Sequence, residues 1–157
     1  MAQPRMLLFV FVAALAAPQP AAPQADPAPG PVPVLDNVDL MDLMLKPAYD
    51  ALQQGMARPP VDRKGWAALY QQAARLAELE NLLFFRTRAG DARQPEWADK
   101  AARAREASAR VAASALLGLR SARTADFERV RTAFPAIAEA CTACHRAFAR
   151  EAPAIRP

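Results

Sequence analysis

The sequence predicts an all-α fold, an antiparallel four-helix bundle, from its composition, its apolar spacing and its short connections. The chain has 157 residues, which is the size of one domain. It is rich in Ala, Arg, Leu and Glu and has only 5 Gly, a composition that favours helices. Four segments place apolar residues three and four positions apart. Amphipathic helices joined by short connections pack as a bundle, and bundle cores commonly house cofactors.

The first helix is predicted over residues 37–55, with Asp36 or Asn37 as its cap. Its apolar residues alternate between spacings of three and four, which is the pattern of one buried stripe. The predicted stripe is Val38, Met41, Leu45, Ala48 and Leu52. Pro47 lies inside this pattern and lacks a backbone donor, so we expect it to kink or restart the helix.

The second helix is predicted over residues 62–89, with Asp62 as its cap and Gly90-Asp91 as its end. The third is predicted over residues 95–120, since proline suits a first helical turn. The predicted apolar face of the second helix is Trp66, Leu69, Tyr70, Ala73, Leu76, Ala77, Leu83 and Phe84. The predicted face of the third is Trp97, Ala101, Ala104, Ser108, Val111, Ala115 and Leu119, mostly small residues that let a neighbouring helix approach.

The fourth helix is predicted from residue 124 or 126 to residue 150, with an interruption at Pro135. It carries Cys141-Thr142-Ala143-Cys144-His145, which contains both cysteines and the only histidine of the chain. A CxxCH run is the attachment signature of a c-type haem, in which two thiols form thioethers and the imidazole binds the iron. Because a helix places positions i, i+3 and i+4 on one side, Cys141, Cys144 and His145 are predicted to face one haem edge.

Three other interpretations of the CxxCH motif are weaker. A redox dithiol of this spacing belongs near a βαβ pattern, and no strand-like alternation occurs in the sequence. A structural zinc site needs four ligands, whereas the chain offers three Cys and His groups. A plain disulfide leaves His145 without a role. We therefore expect one covalent haem c as the cofactor.

Residues 1–17 are predicted to form a signal peptide. Arg5 supplies its positive end, residues 6–13 its apolar run and residues 14–16 a small-x-small cleavage site. The apolar run is short for a membrane span. Export agrees with the motif, so we expect a periplasmic location, with a membrane tether if the leader is retained.

Residues 18–34 are predicted to form an extended Pro-rich tether, and the bundle is expected to occupy residues 35–157. The formal net charge of +4 is scattered along the chain. It favours acidic partners and gives no support to nucleic-acid binding. Glu78 and Glu80 are predicted to be surface charges rather than acid/base groups. No catalytic residue is assigned, so the chain is not expected to be an enzyme.

With CxxCH on the last helix of a four-helix pattern, residues 34–150 resemble the class II cytochromes c. This class comprises the cytochrome c′ family and its low-spin, methionine-ligated relatives. The residues that carry the resemblance are Cys141 to His145 followed by Phe148, Leu40-Met41 followed by Pro47, and Trp66 with Asn81-Leu82-Leu83 on the second helix. The low-spin relatives are the more similar, because of the Leu-Met pair.

The resemblance implies that His145 is the proximal ligand of the haem iron and that a residue of the first helix faces the other side. In cytochromes c′ that residue is apolar and the iron is five-coordinate. In the low-spin relatives a methionine sulfur binds instead, and Met41 stands at the matching position. Met44, one turn later, is the main rival, and Met56 lies too near the helix end. Met/His ligation raises the reduction potential.

Two positions depart from the cytochrome c′ pattern. Ala149 stands where a basic residue commonly follows the aromatic, and Asn37 stands where an arginine is common. Both differences disfavour a gas-binding pocket of the cytochrome c′ type. They also leave the haem propionates without an obvious partner, for which Arg86, Arg88 and Arg146 are candidates by charge.

The function expected from the sequence is that of an exported one-electron carrier with a His/Met-ligated haem. Its partners would be redox proteins that are acidic or membrane-associated. One alternative is a five-coordinate cytochrome c′-like protein that binds nitric oxide or carbon monoxide, and another is a haem-free helical binding module. Class II cytochromes often form homodimers through their first two helices, and the sequence leaves the oligomeric state open.

Overall fold

Four helical arms make up the computed structural model, which describes residues 32–87, 91–121, 123 and 125–157. The first arm consists of α1 (Asn37–Leu40), a π-helical turn (Met41–Leu45) and α2 (Lys46–Gly55). The second consists of α3 (Arg63–Asn81) and a 3₁₀ turn (Leu82–Phe85). The third is α4 (Gln94–Ser121), and the fourth consists of α5 (Ala125–Ala133) and α6 (Pro135–Phe148). These ranges contain no strand, so the all-α prediction and its four helical segments are confirmed.

Two aspartates cap the first two arms, as their sequence positions predict. Asp36 Oδ1 accepts a hydrogen bond of 2.8 Å from the backbone N–H of Asp39. Asp62 Oδ1 accepts one of 2.7 Å from the backbone N–H of Gly65. Each carboxylate satisfies a donor that the first turn of a helix leaves unpaired.

Before Pro47 the first arm forms a wider, π-helical turn and does not break. In an α-helix the ring of Pro47 would meet the carbonyl of Leu43. The backbone instead widens over Met41–Leu45, and the N–H of Lys46 bonds to the carbonyl of Met41, five residues back. The chain stays helical from Asn37 to Gly55.

The wider turn changes the buried stripe of the first arm. Leu45, Ala48 and Leu52 are buried as predicted, but Val38 is 67% exposed and Leu40 is completely buried. The spacing from Leu40 to Leu45 is five, because a π-helical turn contains an additional residue. The predicted stripe assumed a regular α-helix and is wrong at Val38, whose buried place Leu40 takes, whereas Met41 is partly buried and packs against the core.

The second arm leaves the α-helical path at Asn81, earlier than the predicted end at residue 89. The carbonyl of Leu83 accepts hydrogen bonds from the N–H of Arg86 at 3.1 Å and from Trp97 Nε1 at 2.7 Å. These bonds fix a tight turn, in which Phe84 and Phe85 are exposed although Leu83 is buried. The predicted place of Phe84 on the buried face is wrong. The predicted stop at Gly90 falls within residues 88–90, outside the described ranges.

The core lies where the second and third arms meet. Trp66 is 1% exposed and rests against Gly118, where an added Cβ would come within 2.1 Å of the indole ring. The predicted small face of α4 is confirmed at Ala101, Ala104, Ser108, Val111 and Ala115, which are all buried. Small residues allow this close approach, so most of the core volume comes from large side chains of the other arms.

The fourth arm divides at Phe134, as Pro135 predicts. Pro135 occupies the first turn of α6, where its missing N–H has no intrahelical partner. Phe134 is buried and stacks on Tyr49 of the first arm, with the ring centroids 5.6 Å apart. The break therefore sets the start of the helix that carries CxxCH.

The N-terminal predictions fall outside the described part of the chain. These are the signal peptide at residues 1–17 and most of the Pro-rich tether at residues 18–34. In the described ranges, no helix combines the length and the apolar character needed to cross a membrane.

Candidate haem site

The CxxCH motif lies in the second half of α6. Cys141, Cys144 and His145 are all partly buried, and both thiols are free. Their spacing on one helix brings the three side chains to the same side. Cys141 also packs against the main core. The two residue types that haem c attachment needs are therefore adjacent at the inner side of one helix.

The thiols have the electrostatics of buried, inert groups. Burial raises the pKa of Cys141 to about 12, and the nearby charges of Glu80 and Cys144 add to the rise. Burial also raises the pKa of Cys144, which Lys100 opposes and Glu96 assists. A redox-active CxxC cysteine instead has a lowered pKa, so this environment disfavours the dithiol interpretation.

The imidazole of His145 has unused binding capacity. Its Nδ1 is buried and makes no hydrogen bond within the described part of the protein. A buried polar group without a partner is uncommon and often marks a place where a ligand binds. This nitrogen is thus not held by a hydrogen bond to the surrounding protein.

α6 packs closely against α4 and α5 but not against the helices of the first two arms. Its backbone comes within 8 Å of α4 and α5, measured between Cα atoms, but over the described ranges it does not come so close to either of the first two arms. Directly packed helices have axes only about 8–10 Å apart. The wider spacing is what a planar group between α6 and the first arm requires.

Two methionines of the first arm, Met41 and Met44, lie in its π-helical turn. Met41 and Met44 are both partly buried and pack against the same core as Cys141. Leu40, directly before Met41, is completely buried. Met56 is at the end of α2, as predicted, and Met6 lies outside the described ranges. Turns of this type occur frequently at functional sites in helices.

A C-terminal tail, residues 152–157, joins the first arm to the CxxCH motif. The Tyr49 hydroxyl donates to the carbonyl of Arg156 at 2.6 Å. One residue earlier, the N–H of Ile155 donates to Thr142 Oγ1 at 3.0 Å. Thr142 is a central residue of CxxCH, so the tail connects that motif with the arm that carries Met41. This contact was not predicted, and its only signal in the sequence is the isolated apolar Ile155.

Trp97 of α4 and Arg93, directly before α4, hold the C-terminal end of α6. Trp97 meets Phe148 edge to face, with the ring centroids 5.0 Å apart. The guanidinium of Arg93 lies 4.1 Å from the Phe148 ring centroid and donates to the carbonyl of Ala147 at 2.9 Å. A cation at the C-terminal carbonyls of a helix is favourable. Trp97 therefore packs, as its place on the predicted apolar face of the third helix implies, and its partner is Phe148.

The candidate propionate partners have different surroundings. Arg86 donates to the carbonyl of Leu35, which commits part of its guanidinium to the backbone. Arg146 is exposed at the end of α6. Arg88 lies outside the described ranges. Lys100, which was not among the predicted candidates, is near enough to Cys144 to oppose the rise of its pKa.

Glu80 is buried, which corrects its predicted place on the surface. It is 2% exposed, and neither carboxylate oxygen has a hydrogen-bond partner in the described structure. Its spacing from Ala73, Leu76, Ala77 and Leu83 places it on the apolar stripe of the second arm, and that spacing was the overlooked signal. Glu78 is exposed as predicted.

The local features agree with a covalently attached haem: free thiols at i and i+3, an unpartnered imidazole nitrogen and a wide spacing beside α6. A helical bundle with CxxCH on its last helix defines a c-type cytochrome. The family model described as Cytochrome C' matches residues 37–149, and the chain belongs to that family. Its cofactor is accordingly haem c, bound covalently. No curated protein and no solved structure matched the chain.

Proposed function

We propose that the protein is an exported one-electron carrier. Cys141 and Cys144 hold the haem, His145 binds the iron from one side and Met41 binds it from the other. Haem iron of this kind gains and loses one electron, and Met/His ligation favours the reduced state. The observation that carries the proposal is the partly buried Met41 side chain on the arm from which α6 keeps its wider distance.

The fixed position of the two ligand-bearing segments supports electron transfer. The C-terminal tail binds Tyr49 and Thr142, and Trp97 and Arg93 hold the end of α6. A site whose ligands are held by surrounding contacts needs little rearrangement when its charge changes. This requirement is the central one for a carrier, and we assign the protein no catalytic residue.

The net charge of +4 supports a transient, salt-sensitive encounter with an acidic redox protein. We place that encounter in the periplasm. If the leader is retained, the Pro-rich segment would let the bundle reach a membrane-bound donor and acceptor.

Methionine ligation is tested by the absorption spectrum of the ferric holoprotein. We expect a low-spin spectrum in which a methionine-to-iron band disappears in Met41→Leu and persists in Met44→Leu. Met56→Leu is a matched control at the end of the same arm. Loss of the band in Met44→Leu alone would show that Met44, one turn later in the π-helical segment, is the ligand.

A five-coordinate gas-binding protein is the second candidate, because the completely buried Leu40 is an apolar residue next to Met41. In that case the wild-type spectrum is high-spin, and the ferrous protein binds carbon monoxide or nitric oxide rapidly. That pair of results would exclude the carrier function.

A further inference from the structure

The side chain of Glu80 has no role in the function described above, although its position is costly. A carboxylate shielded from water and left without hydrogen bonds is strongly destabilised relative to its neutral form. Glu80 is 2% exposed, and both of its oxygens are unpartnered in the described structure. A buried, unpartnered glutamate is uncommon and often indicates a functional role, and the candidate haem site lies nearby.

Residues of two other helices, α4 and α6, interact electrostatically with this carboxyl group. Ser108 on α4 is completely buried and has no hydrogen-bond partner in the described structure, but its hydroxyl is near enough to lower the pKa of Glu80 against the larger effect of burial. Burial raises the pKa of Cys141 on α6, and Glu80 is near enough for its charge to add to that rise. Arg105, one turn before Ser108, lies over the Phe84 ring at 5.8 Å and is 3.6 Å from Glu106. Among the described residues, no cation lies within 4.0 Å of the Glu80 carboxylate.

We propose that Glu80 is a proton-binding site coupled to the haem, so that reduction of the iron is accompanied by uptake of a proton at this carboxyl group. The inference rests on the proposed electron-carrier function. Cys141 is an attachment point of the haem, and a charge that reaches its sulfur lies beside the cofactor. Reduction removes one positive charge from the iron, which makes the nearby carboxylate less stable and its protonated form more stable.

The reaction balances with one electron and one proton. The redox partner supplies the electron, and solvent supplies the proton that forms the O–H bond of the Glu80 carboxylic acid. Reoxidation returns both. The neutral acid can donate a hydrogen bond as well as accept one, whereas the carboxylate can only accept.

The coupling is confined to a pH window near neutrality, because burial raises the pKa of Glu80 to about 7. If the iron and the Glu80 carboxylate are roughly 10 Å apart and the effective dielectric constant is about 20, the pKa of Glu80 is about one unit higher in the reduced protein than in the oxidised protein. The reduction equilibrium constant should then fall about tenfold between the acidic and alkaline plateaus, equivalent to about 59 mV for one electron.

The test is the midpoint potential of the purified holoprotein across this pH range. We expect the potential of the wild type and of Glu78→Gln to fall as the pH rises, and that of Glu80→Gln to stay level. Glu78→Gln is the matched control, because it removes the same charge from an exposed position on the same helix. A level wild-type profile, or an unchanged slope in Glu80→Gln, would overturn the proposal.

An infrared measurement on the wild type keeps the test independent of whether the variant folds. The reduced-minus-oxidised difference spectrum should contain the carbonyl stretch of a newly protonated carboxylic acid, shifted in heavy water. Absence of that band in the wild type refutes the coupling. A high-spin ferric spectrum with rapid carbon monoxide binding would instead refute the carrier function, and the pH profile of the potential is measurable in either case.

Discussion

Tyr49 and Arg156 are 107 positions apart in the sequence, and a hydrogen bond of 2.6 Å joins them. The Tyr49 hydroxyl donates to the backbone carbonyl of Arg156, which also accepts a bond of 3.2 Å from Gln53. Ile155, the preceding residue, binds Thr142 within the haem motif. The tail therefore connects the two segments that are expected to bind the iron from opposite sides.

Removal of the Tyr49 hydroxyl should weaken this connection. We expect Tyr49→Phe to lower the free energy of unfolding by about 1 kcal/mol, because one partly buried hydrogen bond is lost and its acceptor is left with a longer bond from Gln53. Urea denaturation measures the change. Tyr70→Phe is the control, since the structure describes no hydrogen bond from that hydroxyl.

A shortened chain that ends at Pro153 tests whether the Tyr49 hydroxyl stabilises the protein through its bond to the tail or through another partner. There the Arg156 carbonyl is absent, so Tyr49→Phe should have almost no further effect. If it costs the same in both backgrounds, the hydroxyl acts through a different partner.

A methyl group at Gly118 should disrupt the contact between the second and third arms. The Cβ of Gly118→Ala would stand 2.1 Å from Trp66 Cζ3, and Trp66 is too tightly buried to move freely. We expect a loss of roughly 1–3 kcal/mol in unfolding free energy despite the better helix propensity of alanine.

Gly55→Ala is the matched comparison for that substitution. Its Cβ would approach Gln72 Oε1 to 2.8 Å, and the end of that flexible side chain can move away. The variant should therefore be close to wild type in stability. Equal losses at both glycines would indicate that backbone effects, rather than the Trp66 contact, dominate.

Loss of the Asp36 cap should destabilise the start of the first arm. Asp36→Ala removes the acceptor of the Asp39 N–H and should cost about 1 kcal/mol. Asp36→Asn keeps an acceptor oxygen and should restore most of that stability. Chemical denaturation of both variants at one pH provides the measurement, and an equal loss in the two would argue against the cap.

Glu80 should make the protein less stable as the pH rises toward neutrality. Its pKa is raised from 4.5 to about 7 in the folded protein by burial, so between these values the folded state binds more protons than the unfolded state. By linkage, unfolding free energy then decreases with increasing pH, by on the order of 3 kcal/mol across the window. Denaturation at several pH values should show a flatter profile in Glu80→Gln. A wild-type profile that rises through this window would contradict the assignment.

Local signals in the sequence were sufficient to predict four helical segments, two of their caps and the haem motif. The caps at Asp36 and Asp62, the division at Pro135 and the CxxCH positions depend on residues a few places apart, and each lies where the pattern predicts it. The predicted surface position of Glu80 is wrong because its place on the apolar stripe of the second arm buries it despite its charge. The assignment of the distal ligand stays a prediction, because it depends on how the first arm is turned.

Two features could not be read from local patterns. The widening at Met41–Leu45 results from the conflict between Pro47 and continued burial of Leu40, a balance that depends on the other arms. The tail contact joins Arg156 to Tyr49 across nearly the whole domain, and residues 152–157 contain no helical period. Both are consequences of tertiary packing.

The π-helical turn also affects how this chain should be compared with other sequences. A chain that lacks one residue between Met41 and Leu45 could form a regular α-helix there and still bury the leucines at both ends, since a spacing of four replaces a spacing of five. An alignment of such sequences should accommodate a one-residue gap in this segment. Placing the gap elsewhere would match Met41 with the wrong neighbour and transfer the iron-ligand assignment to a residue on a different side of the helix.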